Sequence, residues 1–257
     1  MDFVSYFKAI YCGKNAARKH ILLFSVTGIV ALLFNNMSTY FTNNLLSEQL
    51  TVGAASPAEF AVDFTFGVLL WLHIFGYEYK FLSGIMNDGE LTLPEFDHDV
   101  MATFGKMFPL FFLWQIYFFV ITFFTGIYTV ATKDLVYYFL AGTLMLFFTP
   151  FVFMIYIKFS KDFKYTKDVL VPWSIIKYID KGLVDVVIWS VKFGAYAILP
   201  IAFLVGYMEW ATQITPQTPR LIAYLAGICV GSYIFTVYKL IYGIGMAKIV
   251  KEKILSK

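Results

Sequence analysis

The sequence predicts an all-α integral membrane protein with six transmembrane helices in three similar hairpins, each preceded by an amphipathic interfacial helix. Composition, six long apolar stretches and the distribution of Lys and Arg support this prediction. Only 14% of the 257 residues are charged and 60% are hydrophobic, whereas a soluble domain carries roughly 25% charged residues. Because such a chain lacks the polar surface to cover a globule, its helices are expected to face lipid.

Six apolar stretches are each long enough to cross, as a helix, a hydrocarbon layer of about 30 Å. They lie at residues 21–46, 60–79, 107–132, 135–159, 183–208 and 221–244. The connections within the first, second and third pairs of stretches are short or nearly uncharged, and those between the pairs are longer and polar. This alternation predicts one membrane domain of three hairpins, with pseudo-repeats at about residues 1–83, 84–160 and 161–257.

The Lys and Arg residues predict the orientation. Seventeen of the 20 lie in the N-terminal segment, in the two polar connections and at the C-terminal end. The opposite connections hold only Lys133 and Arg220, and Lys192 lies inside the fifth stretch. Because cytoplasmic connections carry an excess of Lys and Arg, both termini are predicted to be cytoplasmic.

A similar segment precedes each odd-numbered stretch: an aromatic residue, an amphipathic run, and then Gly and Lys. The three segments are residues 3–14, 96–106 and 173–182. Amphipathic helices of this kind lie at the membrane surface with their apolar face in the lipid.

Five residues in or just before the second and third segments are predicted to anchor them at the membrane interface. Pro94 and Pro172 suit the first turn of a helix, and Phe96 and Trp173 place aromatic rings at the level of the headgroups. Lys177 is expected to point towards the headgroups.

The start MDF, the GY pair at 76–77, NDGE at 87–90 and LPEFD at 93–97 together carry a family resemblance. The chain resembles a family of bacterial and archaeal multi-pass membrane proteins without an assigned function, in which a Gly-Tyr span end precedes a Leu-Pro-Glu-aromatic-Asp turn. The similarity covers about residues 1–125 and departs at Phe96, where the family usually carries Trp. The resemblance implies a protein of the prokaryotic cytoplasmic membrane and no particular activity.

Ionisable residues inside predicted spans are the first candidates for a functional site. Lys192 lies near the middle of the fifth stretch, seven residues after Asp185 and therefore on nearly the same helix face. Together with His73 of the second stretch, they are candidates for a substrate or ion path. The simpler alternative is a Lys192 that extends to the interface and a His73 that bonds to a neighbouring helix.

The sequence contains no nucleophile elbow, Walker sequence or dinucleotide fingerprint, so we expect no catalytic site, metal or cofactor. Asp97, His98 and Asp99 resemble metal ligands, but successive helical residues point apart. The isolated Cys12 and Cys229 predict neither a disulfide nor a metal site.

The expected partners are the lipid bilayer and other membrane proteins, with no nucleic acid. The lysine-rich residues 158–181 are expected to bind anionic lipid headgroups, although an acidic soluble protein is an alternative.

The leading functional hypothesis is a non-catalytic structural or accessory subunit of a membrane complex, because few polar groups in the spans can be paired. The alternative is a small-molecule or lipid transporter. A membrane-embedded lipid enzyme ranks last, since no Asp, His or Ser cluster lies at one depth of the predicted spans.

Overall fold

A computed structural model describes residues 3–13, 15–45, 57–89, 91–132, 136–215 and 217–256. These residues are all-helical, with no strand among them, which confirms the predicted class. Some residues used in the predictions lie outside the described ranges: Met1, Asp2, Lys14, Leu46, Glu90, Lys133, Leu135 and Lys257.

The described helices are α1 (Phe3–Tyr11), α2 (Ala16–Leu45), α3 (Pro57–Asp88), α4 (His98–Thr132), α5 (Val136–Asp162), α6 (Lys167–Leu170), α7 (Ile175–Gln213) and α8 (Gln217–Ile249). A 3₁₀ turn, Pro172–Ser174, precedes α7, and a π-helical segment, Val250–Leu255, follows α8. Six of the described helices (α2, α3, α4, α5, α7 and α8) are long and apolar enough to cross a membrane. This confirms the six predicted spans.

The spanning helices pack mainly against their neighbours in the chain. Helix α2 contacts α3 and α8, α3 also contacts α4 and α5, and α7 contacts α5 and α8. Helices α2, α4 and α7 begin, and α3, α5 and α8 end, at one end of the bundle, which we call the terminal end.

Only the first of the three predicted interfacial segments is a separate helix in the structure. Helix α1 is separate from α2, and the turn between them includes Asn15 with φ at +57°. The second and third segments are instead the first turns of α4 and α7, which continue without a break into the apolar stretches. Pro94 lies before the first residue of α4 rather than in its first turn, whereas Pro172 does begin the 3₁₀ turn.

The helices are longer than a membrane requires. Helix α7 has 39 residues, or about 58 Å at 1.5 Å per residue, against a hydrocarbon thickness of about 30 Å.

The six largest fully buried side chains all lie in the terminal-end halves of their helices: Trp189, Tyr77, Tyr178, Phe81, Phe151 and Phe159. In the opposite halves, Leu146 and Leu199 are each 77% exposed. The bundle therefore has a packed half and a half with exposed apolar surface.

Charged residues follow the same division. Among the described residues, the half opposite the terminal end carries only Glu59, Asp63, Glu209 and Arg220. Lys192 lies close to the boundary between the halves, three residues after the buried Trp189. The exposed apolar half has the composition of a region in hydrocarbon, and the terminal-end half that of a region at headgroup level and beyond.

Candidate functional site

An ion pair between a buried carboxylate and a partly exposed lysine joins α3 to α8 at the boundary between the two halves. The Nζ atom of Lys239 lies 2.6 Å from Oε2 of Glu78. The Glu78 side chain is only 4% exposed, whereas that of Lys239 is 45% exposed. The other carboxylate oxygen of Glu78, Oε1, is buried and has no hydrogen-bond partner among the described residues. A buried carboxylate depends strongly on its counter-charge, because an unpaired charge in a medium of low dielectric constant is costly.

The packing of α3 against α8 explains why these two residues meet. Both helices run towards the terminal end, and one turn beyond the ion pair Leu82 contacts Gly243. A Cβ atom on Gly243 would lie 2.9 Å from Cδ2 of Leu82, so the glycine permits the close approach of the helices. Because residues four apart share a helix face, Glu78 and Lys239 form the next layer of the same interface.

An open groove lies beside this ion pair, between α3, α4, α5 and α8. Its volume is about 790 Å³, within the range of roughly 300–1,000 Å³ that is common for ligand sites. Its polar end is formed by Tyr79, Tyr156, Lys239 and Tyr242, and its apolar end includes Trp71, Phe119, Met145 and Leu146.

The groove is accessible from the lipid side of the bundle. Phe119 and Leu146, which line it, are 66% and 77% exposed. Since both residues belong to the exposed apolar half, a molecule in the hydrocarbon layer could enter sideways. The groove therefore connects the lipid layer with the charged level of the protein.

The polar end of the groove offers hydrogen-bond donors. A Lys ammonium has three N–H donors, of which one is directed at Glu78. The hydroxyl of Tyr156 is buried and has no hydrogen-bond partner in the described part of the chain. The hydroxyl of Tyr242 lies 3.1 Å from Oγ of Ser190. Such a combination of donors and apolar walls suits an amphipathic molecule with hydrogen-bond acceptors at one end.

A second cluster contains the residues that carry the family resemblance. The ring of Tyr77 stacks on that of Phe96, with centroids 4.1 Å apart, and its hydroxyl donates to the carbonyl of Pro94 at 3.2 Å. A Cβ atom on Gly76 would collide with the backbone carbonyl oxygen of Val100. The GY pair and the LPEFD turn thus form one packed unit. Phe96 is partly buried in this unit, and its role as an interfacial anchor stays a prediction.

Lysines hold this unit in place. Lys19 donates to the carbonyl of Leu93 at 2.5 Å, and Lys80 donates to both carboxylate oxygens of Asp97 at 2.6 Å. The hydrogen bond from Lys80 holds the pKa of Asp97 below its ordinary value. Asp97 also accepts a hydrogen bond from the backbone N–H of Asp99, at 3.1 Å, and so satisfies one of the free donors at the start of α4.

The lysine-rich segment is partly neutralised within the protein. Oδ2 of Asp168 lies 3.0 Å from Nζ of Lys158 and 2.8 Å from Nζ of Lys177. Hydrogen bonds from Lys177 and then Lys158 lower the pKa of Asp168. Lys177, predicted to face headgroups, thus has an internal partner. Trp173 is 74% exposed, as an interfacial anchor would be.

The predicted path residues do not form a common cluster with one another. Lys192 is exposed and has no ion pair in the described part of the chain. Asp185 pairs with Lys253, whose Nζ lies 3.1 Å from its Oδ2. Nδ1 of His73 lies 3.4 Å from the carbonyl of Leu69, one turn earlier in α3. The role of these residues in a path therefore stays a prediction.

Sequence reasoning missed the site at Lys239. In the sequence, Lys239 contributes only to the predicted orientation, and no pattern pairs it with Glu78. A usable signal was the Gly243 that follows Lys239 by one turn, because a glycine in an apolar helix often marks a close helix contact.

The described residues contain no group of three or more His, Cys, Asp or Glu side chains that could hold a metal ion. No family model, curated protein or solved structure matches this chain.

Proposed function

We propose that this chain is a non-catalytic membrane protein that binds a membrane lipid or similar amphiphile in the lateral groove, as a lipid carrier or permease-like protein would. The observation that carries the proposal is the course of the groove, from the apolar side chains of Trp71 and Leu146 to the ammonium of Lys239. An amphiphile has the same division into an apolar chain and a polar head.

The position of the groove supports a ligand that stays in one leaflet. Its polar end lies at the boundary between the charged half and the exposed apolar half, which is the expected level of the headgroups on that side. We further propose that the terminal end faces the cytoplasm, because 17 of the 20 Lys and Arg residues lie on that side. Together with the family resemblance, this orientation supports the proposal that the ligand lies in the inner leaflet of a prokaryotic cytoplasmic membrane.

The second candidate function is that of an accessory subunit of a membrane complex. Lys192 favours it, because this exposed lysine has no ionic partner among the described residues and follows Val191, which is 68% exposed. An acidic residue on a helix of another protein would supply the missing counter-charge.

Site-specific photo-cross-linking tests the lipid-binding function. A photoreactive amino acid replaces Thr122, which lines the groove, and in the control it replaces Phe124, which is 64% exposed on the same helix and outside the groove. The variants are purified in detergent, washed to remove loosely bound lipid, and irradiated. We expect lipid adducts, detected by mass spectrometry of the intact protein, at position 122 and few at position 124. Equal yields at the two positions, or none at position 122, would refute the proposal.

A further inference from the structure

We infer that the ligand of the groove carries an anionic phosphate headgroup, and that this headgroup binds Lys239 in competition with the carboxylate of Glu78. The inference rests on the proposed lipid-binding function and adds the chemistry of the head. It depends on the charge of the groove, the donors at its polar end and the position of Glu78 behind them.

The charge of the groove determines which sign of charge on the ligand is favoured. Lys239 is the single charged side chain that lines the groove in the described structure. The Glu78 side chain is 4% exposed and is not part of the lining. A ligand therefore meets a partly exposed ammonium first, which attracts an anionic head and repels a cationic one.

The donors favour a phosphate. Lys239 directs one N–H at Glu78 and has two further donors, and its side chain is 45% exposed. The hydroxyl of Tyr156, which also lines the groove, is buried, so Lys239 is the donor that a ligand reaches. A phosphate diester has several acceptor oxygens and can accept hydrogen bonds from both remaining N–H groups of Lys239. Anionic phospholipids supply this group at the level of the headgroups.

Glu78 acts as an internal substitute for the ligand. Its Oε2 atom lies 2.6 Å from Nζ of Lys239, at the distance of a charge-assisted hydrogen bond. A headgroup that binds the ammonium must share it with this carboxylate or draw it away. Removing the charge of Glu78 should therefore strengthen the binding of an anionic lipid, whereas removing the charge of Lys239 should abolish the preference for one.

The test uses the full chain with the photoreactive residue at position 122, reconstituted into vesicles of phosphatidylcholine with a fixed fraction of phosphatidylglycerol. The ratio of the two lipid adducts, corrected for composition, measures headgroup preference. We expect the wild type to prefer phosphatidylglycerol several-fold, and Glu78→Gln to increase this preference. Lys239→Gln should abolish it and bring the corrected ratio to about one, because the positive charge that favours an anionic over a zwitterionic head is removed.

Control variants distinguish a failure of this inference from a failure of the lipid-binding function. The double variant Glu78→Gln with Lys239→Gln removes both charges, avoids a lone buried carboxylate and should lose the preference even if Lys239→Gln alone does not fold. Lys192→Gln removes a lysine outside the groove and should retain the preference. Adducts of both lipids without preference, or a preference that survives the double variant, would overturn this inference and leave the lipid-binding function intact. Absence of adducts at position 122 would overturn both.

Discussion

Glu78 and Lys239 are 161 positions apart in the chain, yet their charged groups lie 2.6 Å from each other in the interface of α3 and α8. The carboxylate is enclosed by protein and the ammonium is partly open to the groove. The pair therefore combines a structural contact between two spans with a charged group that a ligand can reach. The two roles can be separated by substituting each partner alone and both together.

Replacing Lys239 with Met should destabilise the protein because it leaves the Glu78 carboxylate buried without a counter-charge. We expect a loss of up to about 3 kcal/mol in the free energy of unfolding, measured by denaturation in detergent micelles. The double variant Glu78→Gln with Lys239→Met should recover most of this loss. The matched control is Lys248→Met on the same helix, since Lys248 and Glu252 are both about half exposed and 3.9 Å apart, and such pairs contribute at most about 1 kcal/mol. If Lys239→Met is as stable as this control, Glu78 has another source of stabilisation.

Replacing Gly76 with Ala should loosen the contact between α3 and the start of α4. The new Cβ atom would collide with the carbonyl oxygen of Val100, which belongs to the backbone and cannot rotate away. We expect a loss of roughly 1–3 kcal/mol in stability, as for overpacking in a core, measured by thermal unfolding in detergent. Gly84→Ala on the same helix is the control, because nothing beyond its chain neighbours and the backbone of its own helix lies within 4 Å of the added Cβ. It should be neutral or stabilising. Equal behaviour of the two variants would contradict the close contact at Gly76.

The ion pairs of Asp168 should make stability depend on acidity below pH 4. Hydrogen bonds from Lys177 and Lys158 lower the pKa of Asp168 from its ordinary value of 3.8. A carboxyl group whose pKa is lower in the folded state contributes its full stabilisation above 3.8, and the contribution is lost as the pH falls through the folded-state pKa. Asp168→Asn should therefore lower the midpoint of thermal unfolding at pH 7. The difference in midpoint between this variant and the wild type should become smaller as the pH falls below 4. An effect of the same size at pH 7 and pH 3 would indicate a packing role instead.

The sequence predicted the features that depend on the partition of residues between lipid and water. Long apolar stretches gave the six spans, since each must fill the hydrocarbon layer whatever its neighbours are. Helix length was less predictable. Helices α4 and α7 include residues expected in separate interfacial helices, because local hydrogen bonding continues through Gly105 and Lys181–Gly182 without a breaking residue.

Contacts between distant parts of the chain could not be predicted from the sequence. The ion pair of Glu78 and Lys239 depends on how α8 packs against α3, and the stacking of Phe96 on Tyr77 depends on how the turn folds back along α3. The spacing of Asp185 and Lys192 suggested a shared helix face, but Asp185 pairs with Lys253 of the π-helical segment. Periodicity places a residue on a face of its own helix and does not identify the element that covers this face.

Replacing Lys192 with Met distinguishes the two candidate functions. If the chain is an accessory subunit, wild-type protein purified in mild detergent should carry other membrane proteins in fixed proportion, and Lys192→Met should lose them because a charge pair across helices is removed. The control is Arg220→Met, which removes an exposed positive charge at the start of α8. If the chain is a lipid-binding protein, Lys192→Met should change neither its companions nor the lipid adducts at position 122. Companions that are retained by Lys192→Met and lost by Arg220→Met would exclude Lys192 as the contact.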